Sequence, residues 1–264
     1  SGVNNVEEIQ ADIYDYPKYY DLVYGSDWKA EFEFLMACSG RFLDRDPQSM
    51  FEPACGTGRL LYRLSQTGLD VAGNDLNPQA VAYCNQRLAR YGLPETAVVG
   101  DMTSFQLARP VDVGFNMINS FRHLNTEQLA VDHLNCMARA IRSGGIYVLG
   151  IHLVPLTGNP CDRESWSATR GHLTVNSSLW LVHRKLEERY EEYAMQYDIY
   201  TPTRQLRICD QLRFRTYTAD QFGCLIRGID GLEIESVFDF RYDLSLPNQL
   251  DDSAEDVVFV LRVS

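Results

Sequence analysis

The sequence contains no run of about eighteen apolar residues, so it offers no ordinary membrane-spanning helix. Its seven cysteines are odd in number, widely spaced and never arranged as C-x-x-C, which argues against a disulfide framework and suits a reducing compartment. Only five histidines occur, with no H-E-x-x-H and no Cys/His cluster, so no metal is expected. Basic residues are outnumbered, 24 Lys plus Arg against 36 Asp plus Glu. The net charge of −12 disfavours a nucleic-acid partner held through its phosphates. The first thirty residues are polar and tyrosine-rich, unlike a signal peptide, and the expectation is a cytoplasmic protein with no membrane association. Internal repeats, low-complexity tracts and linkers are also lacking.

What remains is a chain of 264 residues, 45% hydrophobic and 11% aromatic, long enough for one sizeable core carrying one insertion. Trp28, Phe32, Leu35 and Phe42 recur at helical spacing. A strand over Ser49 to Pro53 runs into Cys55-Gly56-Thr57-Gly58 and a helix with Leu60, Leu61 and Leu64. Further strands are expected at Val71 to Asp75, Ala97 to Asp101, Val111 to Ile118 and Ile146 to Val154. Between them, Asn77-Pro78 opens a helix bearing Val81, Cys84, Leu88 and Tyr91, and Leu129, His133, Met137 and Ile141 mark another that stops at Gly144-Gly145. Strands alternating with helices predict a parallel, Rossmann-like sheet of α/β class. Beyond it, Tyr193, Met195, Tyr197 and Ile199, then Leu206, Ile208, Leu212 and Phe214, alternate at period two and predict antiparallel strands. Thr218 to Gln221 has capping-box form and opens a helix, after which two last strands return to the main sheet. The expected divisions are a cap segment and first helix over 1–45, a cofactor-binding core over 46–155, an antiparallel insertion over 156–217 serving as substrate cap or dimer element, and a closing helix and strands over 218–264.

The informative segment is Phe51-Glu52-Pro53-Ala54-Cys55-Gly56-Thr57-Gly58-Arg59. A tight strand-to-helix turn brings backbone N–H groups against a ligand, with no room for Cβ atoms. Dinucleotide folds use the same spacing, but they want a third small residue where Leu61 stands and do not ask for an acid at Glu52.

With Glu52, Gly56 and Gly58 so spaced, the chain resembles the class I S-adenosylmethionine-dependent methyltransferases. That resemblance implies a doubly wound, mostly parallel seven-stranded sheet with a final antiparallel strand, and S-adenosyl-L-methionine as cofactor with S-adenosyl-L-homocysteine as product. It implies that Glu52 and the turn at Ala54, Gly56 and Gly58 serve the methionyl end. Asp75 and its neighbour Leu76 would serve the ribose, Asp101 and Met102 the adenine, and Met117 and Asn119 would border the site after the fourth strand, in which Asp112 matches the family's usual acid. The segment Met117 to Leu124 is similar to that of the amino-sugar N-methyltransferases and their glycine N-methyltransferase-like relatives. Those relatives also carry a tyrosine-rich N-terminal segment over the cofactor, matched here by Tyr14, Tyr20 and Tyr24.

Methyl transfer from a sulfonium asks mainly for alignment of donor and acceptor, and an amine or hydroxyl acceptor needs a free lone pair. His123 is therefore the candidate base or orienting acceptor, against the plainer reading of a helix-start histidine bonded to backbone. Arg122 is a candidate for a substrate anion or else a solvated side chain. Trp166 and Tyr193 are candidates for the wall of the acceptor pocket, for a homodimer seam or for a core face. The expected activity is methyl transfer to N or O of a small molecule. An NAD-dependent oxidoreductase and a cofactor-binding protein without turnover stand as alternatives.

Overall fold

The computed structural model describes residues 6–25 and 27–264; residues 1–5 of the expected cap segment, and residue 26, lie outside the described residues. In chain order the elements are β1 (Glu7–Gln10), a 3-10 turn (Ile13–Asp15), α1 (Pro17–Gly25), α2 (Lys29–Phe42), β2 (Ser49–Glu52), α3 (Leu61–Gln66), β3 (Asp70–Asp75), α4 (Pro78–Arg90), β4 (Ala97–Val99) and β5 (Val111–Asn116). A second 3-10 turn (Ser120–His123), α5 (Glu127–Ala140), β6 (Ile141–His152), β7 (Arg163–Arg170), β8 (Leu173–Lys185), β9 (Tyr190–Tyr200), β10 (Gln205–Arg215), α6 (Ala219–Arg227), β11 (Leu232–Asp239) and β12 (Asp256–Val263) follow.

The main sheet has seven strands in the order β11-β12-β6-β5-β2-β3-β4. β2 through β6 run parallel, and β12 inserts antiparallel between β6 and β11. Every residue of β5 is buried, as a strand covered on both faces requires. The side chain of Asn77 accepts from Gln79 N and Ala80 N with Pro78 in the first turn, so α4 starts where its capping chemistry dictates. Thr218 and Gln221 form the reciprocal capping box of α6.

Two expectations need correction. Gly144-Gly145 does not end a helix: α5 stops at Ala140 and β6 starts at Ile141. The register of β5 against β6 jumps from Val111↔Ile141 to Val113↔Ile146, so the glycine pair serves a bulge, with Gly144 at φ +83. Leu129 and Tyr91 leave their expected faces for solvent, because Ala130, His133, Leu134 and Met137 turn inward on α5 and Tyr91 caps the end of α4. Asp112 lies in the expected strand, at the start of β5 and remote from the glycine turn. There it accepts from Gln48 N at 2.7 Å and from Arg142 Nε at 2.6 Å.

The second sheet, β1-β10-β9-β8-β7, is antiparallel except where β1 runs parallel to β10. The sequence of Glu7 to Gln10 carries no alternating pattern that predicts this pairing. β9 alternates as its period-two pattern predicts, burying Tyr193, Met195, Tyr197 and Ile199. Met195, Tyr197 and Ile199 pack with Ile13, Leu22 and Val23 of the N-terminal segment into a cluster of their own. Cap and insertion thus share one core beside the carboxyl ends of the parallel strands, where open α/β sheets bind ligands. No helix among the described residues is long and apolar enough to cross a membrane, and no metal-binding group of His, Cys, Asp and Glu occurs among them.

Candidate cofactor and acceptor site

After Glu52 the chain reverses through Ala54, Gly56 and Gly58, at φ +50, +54 and +69. The turn is closed by Cys55 N donating to Asn74 O and Gly58 N to Cys55 O, each 2.9 Å. The two glycines do different jobs, which amends the expectation that both clear a ligand. A Cβ on Gly56 would stand in the crevice, its nearest neighbour Tyr20 Cε1 at 3.9 Å. One on Gly58 would meet Cys84 Sγ at 2.3 Å, so that glycine lets α4 close on the turn.

Asp75, at the end of β3, accepts from Gly56 N through Oδ2 and from Asn77 N through Oδ1, both at 2.9 Å. Burial raises its carboxyl above the ordinary value while these two N–H groups pull it back. Gly100 N donates to Asp75 O, which sets Asp101 and Met102 beside the same strand end. Asp101 is exposed, its Oδ1 accepting from Thr103 N and Oγ1. The carbonyl of Met102 accepts from His133 Nδ1 at 2.8 Å, so in neutral His133 Nε2 accepts a hydrogen bond from the Tyr147 hydroxyl, 2.9 Å away. Leu76 is 70% exposed. Leu76 and Asp101 are exposed and Asp75 and Met102 half-buried, so the four lie along the edge of the crevice, outside its enclosed part.

The enclosed part is a cavity of about 30 Å³ bordered by Tyr20, Glu52, Ala54, Gly56, Asn116 and Met117. Two of its acceptors have no donor. Glu52 Oε1 and Asn116 Oδ1 are both buried without a hydrogen-bond partner. Asn116 Nδ2 donates to Pro53 O at 2.9 Å, which fixes the amide so that its oxygen faces elsewhere. Burial drives the Glu52 carboxyl well above the usual range, with Arg59 opposing. The Arg59 charge is committed to Glu31, with which it forms a buried ion pair.

A second cavity, of about 180 Å³, lies between the loop after β5 and the antiparallel sheet. It brings together Tyr14, Tyr20, Tyr24, Asn119, Arg122, His123, Trp166 and Tyr193 from the sequence-derived set. Tyr20, Ile118 and Ser120 border both cavities, so the two meet there. The aromatic rings pack in series, tilted or edge-on to one another, with centroids 5.3 Å apart for Tyr14 and Tyr20, 4.6 Å for Tyr20 and Tyr24, and 5.4 Å for Tyr24 and Trp166. His123 is held at a pKa of about 4 by burial, with Arg122 adding to the effect.

Some placements differ from expectation. Arg122 is not solvated; it is 4% exposed and ion-paired with Glu191. Asn119 borders the larger cavity, and its side chain also accepts from His152 N at 2.9 Å, tying the loop after β5 to the end of β6. Asn116 escaped sequence reasoning, although a polar residue closing a wholly buried strand was its signal. Asp21 escaped too. Its buried carboxylate accepts from Thr57 Oγ1 at 3.0 Å, Arg87 Nη1 at 2.9 Å and Tyr83 OH at 3.2 Å, tying α1 to the glycine turn and α4.

This sheet order, glycine turn and strand-end acid define the class I S-adenosylmethionine-dependent methyltransferase fold. Residues 51–145 match the methyltransferase domain family. The chain is similar to a Streptomyces venezuelae dTDP-3-amino-3,4,6-trideoxy-alpha-D-glucopyranose N,N-dimethyltransferase, 28% identical over 51% of this chain and 56% of that protein. It therefore covers little more than half the length of that relative. It is also 26% identical to a Saccharopolyspora spinosa dTDP-4-amino-2,3,4,6-tetradeoxy-D-glucose N,N-dimethyltransferase, over 72% of this chain and 74% of the relative. Among solved structures, Streptomyces venezuelae DesVI superposes with a TM-score of 0.78 at 19% identity, over 97% of this chain and all of that one. The amino pentose methyltransferase CalS10 of Micromonospora echinaspora gives 0.72 at 17%, over 98% and 100%.

Proposed function

We propose that the protein is an S-adenosylmethionine-dependent methyltransferase acting on the amine nitrogen of a small acceptor of amino-sugar type. The observation that carries this reading is the pair of orphaned acceptors, Glu52 Oε1 and Asn116 Oδ1, in one small cavity at the glycine turn. Buried acceptors left bare cost free energy, and a cationic donor such as an α-ammonium answers both at once. When bound, S-adenosyl-L-methionine supplies an electrophilic methyl on a sulfonium.

The remaining work falls to the chain. Asp75 uses one lone pair on each oxygen for backbone and has others free for ribose hydroxyls. Leu76 and Met102 present apolar surface to an adenine, with Asp101 at its edge. Tyr20 borders the junction of the two cavities and Tyr14 and Tyr24 continue its aromatic wall into the larger one, excluding water and offering aromatic surface to a cation. His123, neutral and with its pKa near 4, is a poor sink for an ammonium proton of ordinary pKa around 10. It orients the acceptor instead, which must reach the site as the free amine. The free cysteines, four of them buried, fit a cytoplasmic setting for this activity.

Calorimetric titration with S-adenosylhomocysteine, S-adenosylmethionine and NAD, followed by mass spectrometry of amino-sugar acceptors, tests the proposal. Binding of the two adenosyl ligands and one methyl's mass gained at nitrogen are expected. Preference for NAD would sink the reading, and tight product binding without methyl release to any amine would leave a binding protein only.

A further inference from the structure

The inner wall of the larger cavity carries an unbalanced charge. Glu191 is 2% exposed, and both its oxygens are taken, Oε1 by Arg122 and Oε2 by Arg184 Nη2 at 2.7 Å and the Tyr193 hydroxyl at 3.3 Å. One buried carboxylate thus faces two guanidinium groups. Arg184 reaches a second acid, Asp162, at 3.0 Å, but that side chain is 55% exposed, and an ion pair in solvent offsets little. Arg122 Nε donates to Arg215 O at 2.9 Å and its Nη2 faces Glu191, and the side chain borders the cavity. A guanidinium held out of water beside only half a counter-charge calls for an anion.

The mouth has the opposite character. Glu164, Glu255 and Asp256 border it, with Arg163 as the cation among them. Asp256 is engaged by His152 and Glu255 by Cys161 N. This rim favours an entering amine and opposes a chain of phosphates.

We infer that the acceptor bears a single oxyanion group, a carboxylate or a phosphate monoester, that docks on Arg122, and that it is not a nucleoside-diphosphate conjugate. This deepens the functional reading above and rests on it for the identity of the cavity as an acceptor pocket. The anion site itself is measurable without cofactor. Inorganic phosphate, acetate and dTDP are titrated calorimetrically into the protein with and without S-adenosylhomocysteine. The same is done with the variant Arg122→Gln, which leaves Glu191 paired with Arg184 so that the surplus charge goes and no buried carboxylate loses its partner. Thermal melting confirms that the variant folds. Phosphate or acetate is expected to bind the native chain and to bind the variant at least tenfold more weakly; phosphate identifies a monoester and acetate a carboxylate. Equal binding to both proteins, no binding of either small anion, or dTDP as the preferred ligand would each overturn the inference. Failure of S-adenosylhomocysteine to bind would instead remove the methyltransferase reading, leaving the anion result to stand or fall alone.

Discussion

The Tyr14 hydroxyl lies 3.1 Å from His123 Nε2, joining the N-terminal cap to the loop after β5 across 109 positions of sequence. Burial pushes the phenol up and the imidazole down to about 4, so at neutral pH the bond links two uncharged groups. A bond of that kind contributes about 1 kcal/mol. His123→Ala is therefore expected to slow turnover roughly fivefold while sparing S-adenosylhomocysteine affinity. The wild-type rate should show no inflection near pH 6.5 that the variant lacks; such an inflection would mean that His123 titrates normally and acts as a base.

Glu52→Gln removes the charge that a cationic ligand group would answer. Charge-assisted bonds contribute about 1.5–3 kcal/mol, so S-adenosylhomocysteine affinity should fall roughly 10- to 100-fold by calorimetry. Stability should move the other way. The folded carboxyl sits above its ordinary value, so the native protein without ligand loses stability as pH rises through that window. The variant should melt no lower than the native chain at pH 7, and a marked drop would mean that Glu52 is a structural anchor.

Asp75→Ala should weaken the same ligand by about 2 kcal/mol. Because Asp75 also holds Gly56 N and Asn77 N, some of that loss is expected through the turn itself. Unchanged affinity would take Asp75 out of the site.

Asp21 fixes the cap. Its carboxylate is 2% exposed and ion-paired with Arg87. Asp21→Ala strands a mostly buried guanidinium and should cost about 3 kcal/mol or more in denaturant unfolding. Hydrogen exchange should quicken over α1 before it does in β5. Uniform acceleration through both would show that the cap has no separate latch.

His133 sets an acid limit on stability. Its folded pKa is about 4 against an ordinary 6.5, because burial penalises the cation. The native state then binds fewer protons than the unfolded chain, so its contribution is complete above pH 6.5 and drains away as pH falls toward 4. By pH 5 that is about 2 kcal/mol. His133→Gln should narrow the melting-temperature gap between pH 7 and pH 5, and an unaltered gap would assign the acid sensitivity elsewhere.

What the sequence determined by itself were the features whose causes are local. Asn77-Pro78 starts a helix because its own side chain caps the next turn. Glu52 to Gly58 reverses the chain because glycine accepts positive φ, and Tyr193 to Ile199 alternates because a strand has two faces. The α/β class, the glycine turn and the strand-end acids were all readable on those grounds. Tertiary structure decided what depends on partners far along the chain. Arg122 reads as a solvated side chain until β9 brings Glu191 against it from 69 positions away, and Asp21 is one acid among many until Thr57, Tyr83 and Arg87 converge on it. Asn116 gains its meaning only when the fold surrounds its oxygen and supplies no donor, since an unmet hydrogen bond belongs to a cavity and not to any stretch of sequence.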